Sequence, residues 1–261
     1  MALFPLKDDT PLRSISFQYV TVTLIAINVI VFLWELAPGV EVDRMVYSFG
    51  AIPAVIFGLA ELPPHLAAVP GWMTLVTSLF LHGGWMHLLG NMLFLWIFGD
   101  NVEDSMGHPR YLVFYLLCGV LATLMHAVVA PTAQTPLIGA SGAISGVLGA
   151  YLILHPRARL LVLFMSIIPL RLPAWIVLGS WIGLQFLNLN SSAGSDVAWW
   201  AHVGGFIAGA ILIVPFRRRG VPLFDRLPDD PVVVQRQEHR HARSIFPNTV
   251  NPRSRRGGPW G

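Results

Sequence analysis

The chain has 261 residues, 54% of them hydrophobic and only 12% charged, with a formal net charge of +3 and a mean hydropathy of +0.62. A soluble domain of this size carries about 25% charged residues, so the composition excludes an ordinary soluble enzyme and implies an integral membrane protein. Ten of the seventeen basic residues follow Phe216, so the basicity belongs to a tail and gives no reason to expect a nucleic-acid partner.

Residues 1–13 lack the basic, apolar and cleavage regions of a signal peptide, so they are expected to be a retained cytoplasmic segment. Ser14 to Trp34 is free of charge for 21 residues, long enough to cross roughly 30 Å of hydrocarbon as a helix. Residues 35–72 are too broken by proline and charge for a span and too apolar for a free loop, which predicts a first loop partly embedded in the interface. A second span is predicted over Gly83 to Phe98 and a third over Tyr111 to Ala130. PTAQTP marks a turn, and a fourth span runs from Ser141 to Leu154. The fifth is predicted over Ala174 to Leu189 and the sixth over Val197 to Phe216. The fold expected is therefore an all-α bundle of six transmembrane helices over residues 14–216, followed by a basic, disordered cytoplasmic tail over 217–261. Lys7, Arg13, Arg110, Arg157, Arg159, Arg171 and Arg217 to Arg219 flank one side and only Arg44 the other, which predicts that both termini are cytoplasmic. The lone Cys118 can form no intramolecular disulfide.

Polar residues inside an apolar span are costly unless they face a partner or water, and three segments place such residues at one depth. Ser141 opens the fourth span among Gly139, Gly142, Gly146 and Gly149. His202 lies in the first turn or two of the sixth, followed by Gly205 and Gly209. His87 and Asn91 share a face of the second. Glycine seams on the fourth and sixth spans allow close approach, which would bring His202 within hydrogen-bonding reach of Ser141. These parts suit acyl transfer: His202 as general base for a Ser141 nucleophile, and the Ser141 N–H, His87 and Asn91 as oxyanion donors, worth about 3 kcal/mol each if preorganised. Asp196 is the sole carboxylate near His202 in sequence and lies in a loop, so a dyad without a carboxylate is expected. On an ideal helix His82 points about 140° away from His87, which together with the absence of HExxH argues against a metal site. His65, His108, His126 and His155 have no such company and read as loop or interface residues. No cofactor is implied.

The segments HGGWMHLLGNM (82–92), GASG (139–142) and AHVGGFIAG (201–209), in this order, resemble the bacterial rhomboid proteases over about residues 14–216. The resemblance implies that Ser141 is the nucleophile and His202 its base, that His87 and Asn91 complete the oxyanion site, and that His82 is structural. It also implies that Glu103 is a buried glutamate tying loop segments to the bundle. Substrates would be single transmembrane segments with small or helix-destabilising residues at the cut, reaching the site beside the fifth span, and the location would be a bacterial inner membrane. Two positions depart from the family pattern. Met73 follows Trp72 where the family has a Trp-Arg pair, and Ser145 stands where some members carry a tyrosine beneath the base. Two other readings are a non-catalytic relative that binds transmembrane helices and a transporter, although no internal repeat supports the latter.

Overall fold

The computed structural model describes residues 3–165, 167–189 and 198–224. The expected loop at 190–196 with Asp196, and the tail from residue 225 onward, lie outside these. The described chain is predominantly helical. After a strand β1 (Leu3–Asp8) come α1 (Tyr19–Glu35), α2 (Val42–Phe49) and the short α3 (Pro53–Ile56). Gly71–Met73 and Ser78–Phe80 are 3₁₀ turns on either side of α4 (Thr74–Thr77). The chain then forms α5 (Trp85–Met106), α6 (His108–Val129) and α7 (Ser141–Leu154). The strands β2 (Arg159–Phe164) and β3 (Ile168–Pro173) precede α8 (Ala174–Asn188) and α9 (Trp199–Phe216).

Each segment expected to span therefore holds a helix. Two of them, α6 and α9, are long and apolar enough to cross a membrane by length and composition, while α1, α7 and α8 are shorter apolar helices. Chain chemistry sets their limits. Gly107 ends α5 and begins α6 at φ +84°, and an added Cβ would meet the Arg218 guanidinium 2.7 Å away. Pro109 falls in the first turn of α6 and Pro173 caps α8, positions where the missing N–H costs no helical bond.

The centre is α7, buried from Gly142 to Tyr151 and packed against α6 and α9. Glycine makes this packing possible. A Cβ on Gly205 would lie on the Gly142 carbonyl, one on Gly209 on the Gly146 carbonyl, and one on Gly149 on the Phe206 carbonyl. The backbones of α7 and α9 are thus in contact, as small-residue seams permit.

The expectation of an all-α fold is corrected by a three-stranded antiparallel sheet of order β1-β2-β3 at the end of the bundle away from Ser141. Its central strand RLLVLF buries Leu160 and Val162 completely, alternating as a pleated strand must. A short apolar run of this kind cannot be told from a helix end or linker by periodicity. Pro169 and Pro173 lie on the edge strand β3, where proline blunts an edge against further pairing. The start of the supposed tail is also ordered: Arg218 N–H donates to the Ser105 carbonyl at 2.8 Å and Phe224 N–H to that of Ile153 at 2.8 Å.

Consecutive carboxylates on α5 bind this end together. Glu103, fully buried, accepts from the Val20 N–H (2.9 Å), the Thr21 N–H (2.8 Å) and the Thr21 hydroxyl (2.7 Å), capping the otherwise unpaired amides at the start of α1. Its other partner is His108 Nδ1 at 2.5 Å, so His108 has company that its sequence context did not suggest. Asp104 accepts from the backbone N–H groups of Arg13, Ser14 and Ile15.

Asp8 anchors β1, accepting from Asn101 Nδ2 (2.8 Å) and the Tyr151 hydroxyl (2.9 Å). Burial raises its pKa, and the Tyr151 and Thr10 hydrogen bonds offset that only in part. The folded state then binds this proton more tightly than the unfolded state. The associated stability is complete below the ordinary carboxylate value and is lost as pH rises through the raised one. Thermal midpoints measured between about pH 4 and pH 7 should fall more steeply with rising pH for the native chain than for Asp8→Asn. Equal slopes would contradict this assignment.

Candidate active site

Ser141 is the first residue of α7, so its backbone N–H is among those a helix start leaves without an intrahelical partner. Gly139, at φ +116°, turns the chain into this helix, and its N–H donates to the Ser78 carbonyl at 2.8 Å. A bridge between Ala51 and Leu137, with N–H···O distances of 2.9 and 2.8 Å, fixes the same approach to the first loop. That loop is held further by the Thr77 hydroxyl donating to the Phe49 carbonyl at 2.7 Å and by the Ala54 N–H donating to that of Ala133 at 3.0 Å. Backbone bonds and the Thr77 hydroxyl thus secure the first loop. Val42, Tyr47, Phe57, Leu59 and Trp72 of this loop are exposed.

His202, in the first turn of α9, places Nε2 2.9 Å from Ser141 Oγ. Nδ1 of the same ring lies 2.8 Å from Gln185 Oε1, contributed by α8. Gln185 Nε2 faces the Trp181 carbonyl at 3.3 Å, which can only accept, so the glutamine oxygen is the atom turned to His202. Nδ1 must then carry the imidazole hydrogen, leaving the Nε2 lone pair toward the Ser141 hydroxyl. The Trp181 ring lies 5.9 Å from the His202 ring at 38°, and the Trp199 ring 6.3 Å away at 87°. Trp181 thereby supplies an aromatic wall to the His202 ring. The Ser145 hydroxyl itself donates to the Ser141 carbonyl at 2.6 Å.

On the other side of Ser141, His87 sits in the first turn of α5 and Asn91 one turn later. A Cβ on Gly139 would fall 2.7 Å from His87 Nε2 and 3.7 Å from Asn91 Nδ2, so both groups border the segment leading to Ser141. His87 Nδ1 accepts from the Gly83 N–H at 3.4 Å, which puts its own hydrogen on Nε2, the nitrogen facing Gly139. Asn91 Nδ2 also donates to His82 Nε2 at 3.1 Å, while His82 Nδ1 donates to the Phe80 carbonyl at 3.3 Å.

The placement of His82 away from His87 is corrected here. Their rings lie 5.1 Å apart because α5 begins only at Trp85, and His82 belongs to the loop before Gly83–Gly84. The His82 N–H in turn donates to the carboxylate of Glu35, buried at the end of α1, at 3.2 and 3.4 Å. Among the described residues, no group of three or more His, Cys, Asp and Glu side chains is placed to hold a metal ion. Gln185, Trp181 and Glu35 are neighbours of the site that the sequence reading did not single out. The cost of a buried polar side chain in an apolar helix was the available signal for Gln185.

Residues 70–219 match the Rhomboid domain family. The chain is 30% identical over 188 residues to Rhomboid protein 1, mitochondrial, of Saccharomyces cerevisiae, a match covering 64% of this chain and 52% of the yeast protein. It is 30% identical over 190 residues to the rhomboid protease GluP of Bacillus subtilis, covering 72% of this chain and 33% of GluP. The match to the Bacillus subtilis rhomboid-family protein YdcA is 31% identical over 177 residues, 62% of this chain and 83% of that one. The chain thus spans about half of the yeast relative and a third of GluP. It belongs to the rhomboid family and is a membrane protein whose relatives include proteins named as rhomboid proteases.

Proposed function

We propose that this chain is an intramembrane serine endopeptidase that cuts membrane-protein substrates in or beside a transmembrane segment. The observation that carries the proposal is the 2.9 Å approach of His202 Nε2 to Ser141 Oγ, between two helix starts held together by a glycine seam. Ser141 Oγ attacks the scissile carbonyl carbon while His202 Nε2 takes its proton. The tetrahedral oxyanion is received by the Ser141 N–H, His87 Nε2–H and Asn91 Nδ2–H. As the C–N bond breaks, the imidazolium returns the proton to the leaving amine. Water then attacks the acyl-enzyme with His202 again as base, and the proton finally returns to Ser141 Oγ.

All six of α1, α5, α6, α7, α8 and α9 cross the bilayer in this proposal, and the sheet end is cytoplasmic. Supporting that orientation, Arg13, Arg171 and Arg218 gather there: Arg218 donates to the Ser14 carbonyl at 3.3 Å, and Arg171 lies 3.9 Å from Asp9. Substrates with small or helix-destabilising residues near the cut expose their carbonyls most readily, because an intact helix hides them in hydrogen bonds. The test is covalent labelling with a fluorophosphonate in detergent or liposomes. The native chain should take up one phosphonyl group and Ser141→Ala none. A native, folded chain that resists the probe would favour the non-catalytic, helix-binding alternative.

A further inference from the structure

We propose that Gln185 is a positioning residue for His202, so that the catalytic base is oriented by α8 as well as by its own helix. This inference rests on the Ser141 and His202 assignment above. Gln185 is 6% exposed, and its amide is fixed at both ends: Nε2 donates to the Trp181 carbonyl and Oε1 accepts the His202 Nδ1 hydrogen. A buried glutamine so held can present only its oxygen to the imidazole. It therefore selects the one neutral tautomer whose Nε2 lone pair faces Ser141. Without this acceptor the ring is free to carry its hydrogen on Nε2, where it cannot take the serine proton.

The same contact strengthens along the reaction. When His202 becomes an imidazolium, Nδ1–H becomes a charged donor, and hydrogen bonds to charged groups are stronger than neutral ones. The glutamine is itself uncharged, so it orients the base and adds little to its basicity. The titratable groups that act on His202 from other helices are His87 of α5 and His126 of α6.

The orienting group comes from a helix with one side open. Trp175, Leu184, Phe186 and Leu187 of α8 are exposed, while Trp181 packs on His202 and on Phe206 of α9, 6.3 Å between ring centres. A displacement of α8 that breaks the 2.8 Å bond releases the imidazole. Acylation is therefore faster while α8 is docked against α9.

The experiment compares the full chain with Gln185→Leu and Gln185→Glu in liposomes, using a fluorogenic transmembrane peptide and a fluorophosphonate. Gln185→Leu should lower kcat and the labelling rate together by about 10- to 100-fold with KM within about twofold, less than loss of a charged orienting group costs. Gln185→Glu keeps an oxygen at the same place and adds a negative charge. It should recover most of the rate and move the acid limb of the kcat/KM profile to higher pH. Gln185→Leu with native kcat, labelling rate and pH profile would overturn the inference. Should the leucine variant lose its native thermal midpoint, Gln185→Glu decides, and an unshifted profile there overturns the inference. Ser141→Ala, run in parallel, separates the two levels: its inactivity upholds the dyad whatever Gln185 does, and its activity removes the dyad itself.

Discussion

Ser141→Ala and His202→Ala are each expected to abolish measurable cleavage of a reporter transmembrane substrate, a loss of at least about 10⁴-fold, with expression and helicity unchanged. The two losses should be nearly equal, and the double variant should be no worse than either single one. The reason is that the hydroxyl and the imidazole act as one unit: Oγ without its acceptor is a poor nucleophile, and Nε2 without Oγ has no proton to take. The two variants leave different surroundings. Ser141→Ala removes one atom from a half-buried position and keeps the His202 to Gln185 bond, so its thermal midpoint should match the native one. His202→Ala leaves the Gln185 oxygen without its donor and removes the ring that packs on Trp181, so a modest loss of stability should accompany its inactivity.

Gly209→Val is expected to produce the largest structural effect, a destabilisation of about 3 kcal/mol or more, because overpacking here meets backbone and not a flexible side chain. The added carbons would lie on the Gly146 carbonyl, and α9 could accommodate them only by moving off α7. Activity should fall further than stability alone requires. The same seam sets the 2.9 Å between Ser141 and His202, and a misplacement of about 1 Å can cost about 100-fold in rate. Gly183→Ala is the matched control. Nothing lies within 4 Å of a Cβ at that position on α8, so it should keep native activity and a native or slightly raised thermal midpoint. Equal tolerance of both substitutions in thermal denaturation and cleavage assays would contradict the role given to the seam.

The pairing of α7 with α9 is legible in the sequence because two independent properties coincide there. Glycine recurs on one face of each helix, and each helix carries in its first turn a polar residue that an apolar environment penalises. The helix positions were legible for a similar reason, since long stretches without charge are the strongest periodic signal a chain of this kind carries. An ideal-helix projection misplaces His82, because α5 starts only after Gly83 and Gly84 and the His82 ring folds back onto Asn91. The sheet is not legible in the sequence because its strands are only six residues each and because β1 finds its partner more than 150 residues away. Glu103 could be assigned a tying role only by resemblance. That it caps α1 and pairs with His108 depends on long-range placement. Gln185 carried a signal in its polarity, but which atom it would meet was not written in its neighbours.

The measurement that tests the central claim most directly is peptide mapping of the chain after reaction with a fluorophosphonate, with His202→Ala as the comparison. The account predicts a single adduct on Ser141 in the native protein and little or none when the imidazole is gone. An adduct on a different residue, or one that forms on Ser141 at the native rate without His202, would contradict it.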